Sequence, residues 1–264
     1  MTDVLVTGGT GHLGRDLVEL LIERGHRVRV LARNPGQRTD VEWIRADLAT
    51  TEDFGAAVSG IHTVVHAATN SPAAQRGKIR LDDMFRSPSD VDVEATSRLL
   101  GAAARSGVAH FCHVSIVGVQ DSTLPYMRRK AQAEDLVRGS AMPWSIVGAT
   151  GFYWLLTRMF DTMAGQRIWP VPSNLAMQAC DSAEFAEYLA ECVDEGPAGD
   201  RSAFGGPEVV PMAELARQYL TARGLNRRIV GIRLPGFALR KAGPQTCPDG
   251  RHGKFTWAQW LAAH

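Results

Sequence analysis

The sequence lacks the features of several large protein classes. Only 4 of its 264 residues are cysteines, and they are scattered, so we expect buried thiols and no metal site. The formal net charge of +1 argues against nucleic acid or a membrane surface as the main partner. No apolar run approaches the roughly 20 residues that cross a bilayer. Because the chain begins directly with a predicted strand, we expect no signal peptide and a cytoplasmic protein.

The most informative stretch is a glycine-rich loop at the start of the chain. An apolar strand at 4–6 runs into Thr7, Gly8, Gly9, Thr10, Gly11, His12, Leu13 and Gly14, and an amphipathic helix follows. Closely spaced glycines let a backbone turn sharply, approach a pyrophosphate and pack a helix against a strand. The N–H groups at the start of such a helix bind anions. The loop therefore predicts a dinucleotide site.

The end of the second predicted strand indicates which dinucleotide binds. This strand, at 28–33, ends in Ala32 and Arg33, where enzymes that use NAD usually place a carboxylate for the ribose. A forked guanidinium can instead bind a 2′-phosphate. We therefore expect NADPH to be preferred over NADH, although Arg33 as a merely solvated residue remains an alternative.

Strands and helices alternate as far as about residue 150. Further strands are predicted near 41–45, 61–66, 109–114 and 144–147, with helices near 52–58, 90–105 and 125–137. Such alternation is typical of a parallel sheet covered by helices on both faces. The polar connection at 70–89 is long and is interpreted as either an active-site flap or a disordered segment.

The composition changes after residue 150, where large apolar side chains are concentrated. We interpret 1–150 as a nucleotide-binding domain and 151–264 as a smaller substrate lobe interleaved with it. The apolar residues could form the wall of a pocket or simply a core between the lobes. They are Phe152, Tyr153, Trp154, Met159, Phe160 and Met163.

A second group of residues has the spacing of a catalytic site. Ser115 ends the fifth predicted strand, and Tyr126 and Lys130 lie four residues apart, on one face of a helix. Together with the glycine loop, these residues resemble the short-chain dehydrogenase/reductase superfamily, and within it the atypical NmrA-like branch. The resemblance implies a doubly wound parallel α/β sheet of the Rossmann type with a small interleaved C-terminal lobe.

The resemblance also implies roles for these residues. Tyr126 would be the general acid or base, Ser115 would donate a hydrogen bond to the substrate oxygen, and Lys130 would bind the nicotinamide ribose. Lys130 would also lower the pKa of the Tyr126 phenol. Further expected cofactor contacts are Asp47, Leu48, Ala67, Ala68, Thr69, Ala149 and Thr150. Asp47 could instead cap the next helix, and His66 is expected to be a core histidine.

The resulting functional hypothesis is an NADPH-dependent oxidoreductase that acts on a small, largely apolar carbonyl or enone compound. Two alternatives remain open, namely a non-catalytic NADP(H)-responsive regulator and an isomerase or epimerase that uses the dinucleotide transiently. The expected partner is a small-molecule substrate, and a homodimer is possible. Asp92 stands where sugar-modifying relatives often carry an Asn in a proton relay, which argues against a relay of that type.

Overall fold

A computed structural model describes residues 1–69 and 90–264. The predicted connection at 70–89 lies outside the described residues. The strands of the main sheet are β1 (Asp3–Thr7), β2 (Arg27–Ala32), β3 (Glu42–Arg45), β4 (Thr63–His66), β5 (His110–Ile116), β6 (Trp144–Ala149), β9 (Gly199–Asp200), β10 (Phe204–Gly205) and β13 (Arg251–His252). Two smaller sheets consist of β7 (Ile168–Pro172) with β12 (Arg228–Ile232), and β8 (Ala176–Met177) with β11 (Val210–Pro211).

The helices follow the strands along the chain as the alternation predicted. They are α1 (His12–Glu23), α2 (Gly55–Val58), α3 (Ala95–Arg105), α4 (Pro125–Arg138), α5 (Tyr153–Met163), α6 (Ser182–Glu195), α7 (Met212–Ala222), α8 (Gly236–Ala242) and α9 (Trp257–Ala263).

The main sheet has the strand order β13-β10-β6-β5-β4-β1-β2-β3, with β9 beside β6. All its pairings among the described residues are parallel. The first six strands thus follow the order 3-2-1-4-5-6 of a doubly wound sheet, which confirms the predicted fold.

One face of the sheet is covered by α1 and α6. Leu17 and Leu21 of α1 and Leu189 of α6 are fully buried against valines of the strands, including Val6 and Val30. The apolar stripe of each helix thereby leaves water, at about 25 cal/mol for each Å² of apolar surface removed. Since α6 follows residue 151, the second part of the sequence supplies one layer of the nucleotide-binding fold.

The opposite face is covered by α2, α3 and the last turns of α4. Leu99 of α3 and Val137 of α4 are fully buried, together with Leu5, Val64 and Phe111 of the strands. The helix predicted for 90–105 differs in its start, because Asp90–Glu94 forms a π-helical turn before α3 begins. Such turns often occur at functional sites.

A separate core lies between α5, β7, α7 and α9. Its largest buried side chains include Phe160, Trp169, Tyr219 and Trp257, and the rings of Phe160 and Trp169 stack with centroids 5.7 Å apart. The apolar cluster, for which the sequence left a pocket wall and a core as alternatives, mostly serves this core, since Tyr153 and Phe160 are both buried in it. The core alternative therefore describes those two residues, which are buried between helices.

The cysteines are free and buried, as predicted. Within 1–69 and 90–264, no group of histidines, cysteines and carboxylates is placed to hold a metal ion. In the same ranges, no helix combines the length and the apolar character needed to cross a membrane.

Candidate active site

The glycine loop joins β1 to α1 in a conformation that only small residues allow. Gly8 has φ of +78°, and a Cβ on Gly14 would lie 2.1 Å from the carbonyl oxygen of Gly8. A Cβ on Gly9 would lie 2.7 Å from the side chain of Val30. The sequence therefore keeps glycine where the loop, the helix and the neighbouring strand approach one another most closely.

The N-terminus of α1 is open to an anion. Gly11 is its N-cap, no side chain caps the helix, and its first turn contains no acidic residue. The early N–H groups of a helix have no partner within the helix. Uncapped donors behind a tight glycine loop fit the pyrophosphate of a dinucleotide, which would interact favourably with the positive end of the helix dipole.

The predicted cofactor contacts on either side of this loop lie at the C-terminal edge of the sheet. Arg33 is exposed directly after β2, and it forms no ion pair with any other residue that the structure describes. Asp47 Oδ1 accepts a hydrogen bond from the Ala49 N–H at 3.0 Å, so its carboxylate stabilises a local turn and does not cap the next helix, which begins at Gly55. Leu48 is buried in the core.

Two threonines use their hydroxyl groups within the protein. Thr7 is fully buried, and its Oγ1 lies 2.7 Å from Nδ1 of His66. Thr150 donates to the carbonyl oxygen of Gln178 at 2.5 Å and is also buried, directly after Ala149. Only the backbone of these residues remains for a cofactor. His66 is a core histidine, as predicted, because its other ring nitrogen lies 2.9 Å from Thr96 Oγ1.

The loop after β4 passes beside the glycine loop. A Cβ on Gly8 would lie 2.8 Å from the backbone nitrogen of Ala68, so the two loops are in close contact. Ala67 and Ala68 are half-buried, and Thr69 is exposed at the edge of the sheet. The small side chains leave this edge open, as expected for residues that lie beneath a cofactor.

Tyr126 and Lys130 lie on successive turns of α4. Pro125 is the first residue of this helix, so the phenol is in the first turn, and its oxygen lies 2.9 Å from Thr69 Oγ1. Lys130 is buried, and its Nζ donates to the carbonyl oxygen of Val114 at 3.1 Å. This bond fixes α4 against the end of β5, so that the phenol lies next to the loop after β4.

Ser115 lies at the end of β5 with its hydroxyl buried. Its Oγ has no hydrogen-bond partner among the described residues. A buried hydroxyl without a partner is uncommon, because the loss of hydration is not compensated. Such orphaned donors are frequent at catalytic sites, where a ligand completes the hydrogen bond.

The electrostatics around Tyr126 differ from the expectation. Burial, and then the negative charge of Asp92, raise the pKa of the Tyr126 phenol, while the hydrogen bond to Thr69 lowers it. Burial also lowers the pKa of Lys130, against the opposing effects of Asp92 and Glu134. The prediction that Lys130 lowers the pKa of Tyr126 is therefore wrong: a carboxylate, not the ammonium group, is the main charge acting on the phenol.

Asp92 is the residue of this site whose role the sequence did not reveal. It lies in the π-helical turn before α3, where its Oδ1 accepts from Thr69 Oγ1 at 3.0 Å and lies 3.9 Å from Lys130 Nζ. Its Oδ2 is buried without a partner in the described part of the chain. The only sequence signal was an acidic residue at a position where relatives often carry an amide.

A further side-chain group lies beside the start of α1. The rings of His12 and Trp154 stack with centroids 4.6 Å apart, and the guanidinium carbon of Arg158 lies 5.8 Å from the Trp154 centroid. Burial and the charges of Arg158 and Arg15 lower the pKa of His12. Trp154 thus connects α5 to the glycine loop.

Comparisons with known proteins agree with this geometry. A protein family described as NAD(P)H-binding matches residues 8–195. The chloroplastic divinyl chlorophyllide a 8-vinyl-reductase of Oryza sativa subsp. indica is 33% identical over 227 residues, or 78% of this chain and 55% of that protein. The 3-beta-hydroxysteroid dehydrogenase of Mycolicibacterium neoaurum is 35% identical, and the match covers 90% of this chain and 74% of the relative.

The fold also matches solved structures along its whole length. The Bordetella bronchiseptica enzyme WbmH, solved in complex with NAD+, superposes with a TM-score of 0.73 at 16% identity, covering 100% of this chain and 97% of that one. By contrast, the chain spans only 55% to 62% of the length of the chloroplastic vinyl reductases that it matches. The chain shares its fold with these structures, and it belongs to the NAD(P)H-binding family.

Proposed function

We propose that this protein is an NADPH-dependent oxidoreductase that acts on a small, largely apolar carbonyl or enone compound. The observation that carries the proposal is the 2.9 Å contact between the Tyr126 hydroxyl and Thr69. Thr69 follows β4, and the strand order reverses between β1 and β4. Ligands of doubly wound sheets bind in the crevice at this reversal, which supports a role for the Tyr126 phenol as the acid–base group beside a substrate oxygen.

The proposed chemistry divides between the cofactor and the chain. A bound NADPH would supply the hydride. In the reductive direction, Tyr126 would give its proton to the substrate oxygen, and its raised pKa favours the neutral phenol that such an acid requires. Ser115 would donate a second hydrogen bond as negative charge develops on that oxygen. Lys130 would bind the ribose and orient the reacting groups.

The cofactor site is assigned to residues on both sides of the crevice. The uncapped start of α1, at Gly11 to Gly14, would bind the pyrophosphate. Arg33 would bind the 2′-phosphate that distinguishes NADPH from NADH, and its exposed guanidinium without an ion-pair partner among the described residues supports this preference. Backbone groups of Thr7, Ala67, Ala68, Thr69, Ala149 and Thr150 would line the rest of the site.

The substrate class rests on the relatives. One is named a vinyl reductase that acts on a chlorophyllide, and another a hydroxysteroid dehydrogenase. Both names describe oxidoreductase reactions, at a vinyl group or at a hydroxyl group. A carbonyl or enone substrate for this chain would require the same hydride donor and the same phenolic acid.

A turnover screen tests the proposal. The full chain is incubated with NADPH and a panel of ketones, aldehydes and enones, and NADPH oxidation is followed by absorbance. Tyr126→Phe is expected to reduce turnover by about 100-fold or more while leaving NADPH affinity nearly unchanged. Tyr188→Phe is the matched control, because Tyr188 belongs to α6 and its hydroxyl donates to the Ser202 carbonyl oxygen.

Three results would contradict parts of the proposal. Equal turnover by Tyr126→Phe and the parent protein would remove the phenol from the mechanism. NADPH binding without turnover of any compound would favour the NADP(H)-responsive regulator. Product formation without a net change in cofactor absorbance would favour an isomerase.

A further inference from the structure

A hydrogen-bonded path leads from the Tyr126 phenol to a buried carboxylate. Tyr126 oxygen and Thr69 Oγ1 are 2.9 Å apart, and Thr69 Oγ1 donates to Asp92 Oδ1 at 3.0 Å. A threonine hydroxyl has only one proton. While Asp92 is a carboxylate, Thr69 gives that proton to Asp92 and accepts the proton of Tyr126, so both hydrogen bonds run from Tyr126 towards Asp92 in that state.

The surroundings of Asp92 hold it at the inner end of this path. Its side chain is fully buried, it belongs to the π-helical turn, and its backbone oxygen accepts from Thr96 Oγ1 at 3.1 Å. Two charged or titratable groups beside it are Lys130 and Tyr126, both from α4. A purely structural carboxylate in such a place would be expected to pair both oxygens, yet Oδ2 has no partner among the described residues.

From this geometry we propose that Thr69 and Asp92 form a proton relay behind Tyr126, with Asp92 as the group that stores the proton. The inference rests on the proposed function, because it takes Tyr126 as the residue that exchanges a proton with the substrate. Thr69 and Asp92 act through Tyr126 and are therefore positioning and relay residues.

The relay conserves protons in each direction. When an alcohol is oxidised, its hydride would pass to a bound NADP⁺. Its O–H proton moves to the Tyr126 oxygen, the Tyr126 proton moves to Thr69 Oγ1, and the Thr69 proton moves to Asp92 Oδ1. Three O–H bonds break and three form, and the carboxylate becomes a neutral acid. Reduction of a carbonyl starts from that neutral acid, for which Asp92 takes up a proton from water before each turnover, and then reverses every transfer and returns the carboxylate.

The relay also explains how a phenol that resists ionisation could take part. A free phenolate next to the Asp92 carboxylate would place two negative charges in a buried site, which is unfavourable. Concerted transfer along the path never creates that pair, because the single negative charge moves from Asp92 to the substrate oxygen or back. The raised pKa of Tyr126 is consistent with this shared charge.

The first test needs neither substrate nor cofactor. The full chain is labelled with tyrosine that carries ¹³C at the ring carbon bonded to oxygen, and the resonance of Tyr126 is assigned by its loss in Tyr126→Phe. Thr69→Val, which removes the hydroxyl but keeps the shape, and Asp92→Asn are each expected to shift this resonance. The other three tyrosines report whether the variants fold. An unmoved Tyr126 resonance in the folded variants overturns the path.

The second test measures proton transfer during turnover. Thr69→Val is expected to lower kcat by about 10- to 100-fold, with the Kd for NADPH within twofold, and Thr69→Ser is expected to restore most of the rate. A plot of kcat against the fraction of D₂O in the solvent should be curved for the parent protein, because several protons move together. The same plot should be linear for Thr69→Val. Thr162→Val, in an exposed threonine of α5 bonded to the Met159 carbonyl oxygen, is the matched control.

The two tests separate failure of the relay from failure of the function. If the parent turns over no compound, the proposed function is wrong, and the Tyr126 resonance alone decides whether the path exists. If the parent is active and Thr69→Val has the same kcat and the same curved isotope plot, the relay is overturned while the oxidoreductase function stands.

Discussion

Lys130 Nζ lies 3.9 Å from Asp92 Oδ1, and both side chains are almost completely removed from water. A buried charge that loses its partner is strongly destabilising, because its lost hydration is no longer offset. We therefore expect Lys130→Met to lower the free energy of unfolding by about 3–5 kcal/mol. Urea denaturation measures this effect.

A double variant isolates the pair. Lys130→Met combined with Asp92→Asn should be less destabilised than the sum of the two single changes, since the second substitution removes the uncompensated charge. Arg105→Ala, which breaks an exposed contact of 3.6 Å to Asp53, is the matched control, with an expected loss under about 1 kcal/mol. Strict additivity of the two buried substitutions would show that the charges do not interact.

Two buried serines should respond in opposite ways to the same substitution. Ser115 Oγ has no partner among the described residues, so Ser115→Ala should leave stability nearly unchanged but reduce turnover by about 100-fold. Ser145 Oγ bonds to His110 and to the Ala198 N–H, so Ser145→Ala should lower the unfolding free energy by about 1–3 kcal/mol without affecting kcat. Thermal denaturation and kinetics of both variants test this contrast. A large loss of stability in Ser115→Ala would contradict it.

Gly14→Ala should damage the cofactor site directly. Its new methyl group would lie 2.1 Å from the Gly8 carbonyl oxygen, so the loop and α1 must move apart. We expect about 1–3 kcal/mol of destabilisation and a weaker affinity for NADPH, measured by calorimetry. Gly165→Ala is the control, because a methyl group there would meet no atom within 4 Å. Unchanged NADPH affinity in Gly14→Ala would contradict the assignment of the loop.

Arg33→Ala tests the choice of dinucleotide. Charge-assisted hydrogen bonds contribute about 1.5–3 kcal/mol each, so the Kd for NADPH should rise by about 10- to 100-fold while that for NADH stays constant. Arg217→Ala removes an exposed arginine of α7 that pairs with Glu214, and serves as the control. Equal affinity of the parent protein for both dinucleotides would remove the proposed role of Arg33.

Stability should decline in mild acid because histidines are buried without charge. Burial lowers the pKa of His110 to about 4 and that of His66 to about 3. Between pH 6.5 and these values, the unfolded chain binds protons that the folded protein does not. The contribution of these uncharged histidines to the free energy of unfolding is therefore fully present above about pH 6.5. It decreases as the pH falls, by up to about 1.4 kcal/mol per pH unit for each such histidine.

His110→Gln checks this pH dependence away from the active site. The slope of unfolding free energy against pH between 6.5 and 4 should decrease by the contribution of one histidine, which is up to about 1.4 kcal/mol per pH unit. Thr162→Val, which changes no titratable group, is the control and should leave the slope unchanged. The same slope in His110→Gln and the parent protein would show that His110 is not responsible.

Local patterns in the sequence were sufficient for the sheet and the glycine loop. Apolar strands, amphipathic helices and glycines at fixed spacing act over a few residues, so Gly8 and Gly14 could be interpreted before any contact was known. The spacing of Tyr126 and Lys130 likewise placed both on one side of α4. Their positions in the structure agree with that interpretation.

The side-chain contacts around Tyr126 could not be predicted from local patterns in the sequence. Thr69 is separated by 57 residues from Tyr126 and by 23 from Asp92, and nothing in the local sequence of any of them indicates that they meet. The expected influence of Lys130 on Tyr126 failed for the same reason, since the position of Asp92 was unknown. Tyr153 and Phe160 have the same apolar character whether they line a pocket or fill a core.

The central sheet has a consequence for how the chain can be divided. On its outer side, β6 is paired with β9 and β10, and the layer formed by α6 covers Val114 and Val147. A fragment that ends at residue 150 would present a bare strand edge and an uncovered apolar face to water, the arrangement that promotes aggregation. The nucleotide-binding fold is thus completed by residues that follow position 150, and the first 150 residues are not expected to acquire it alone.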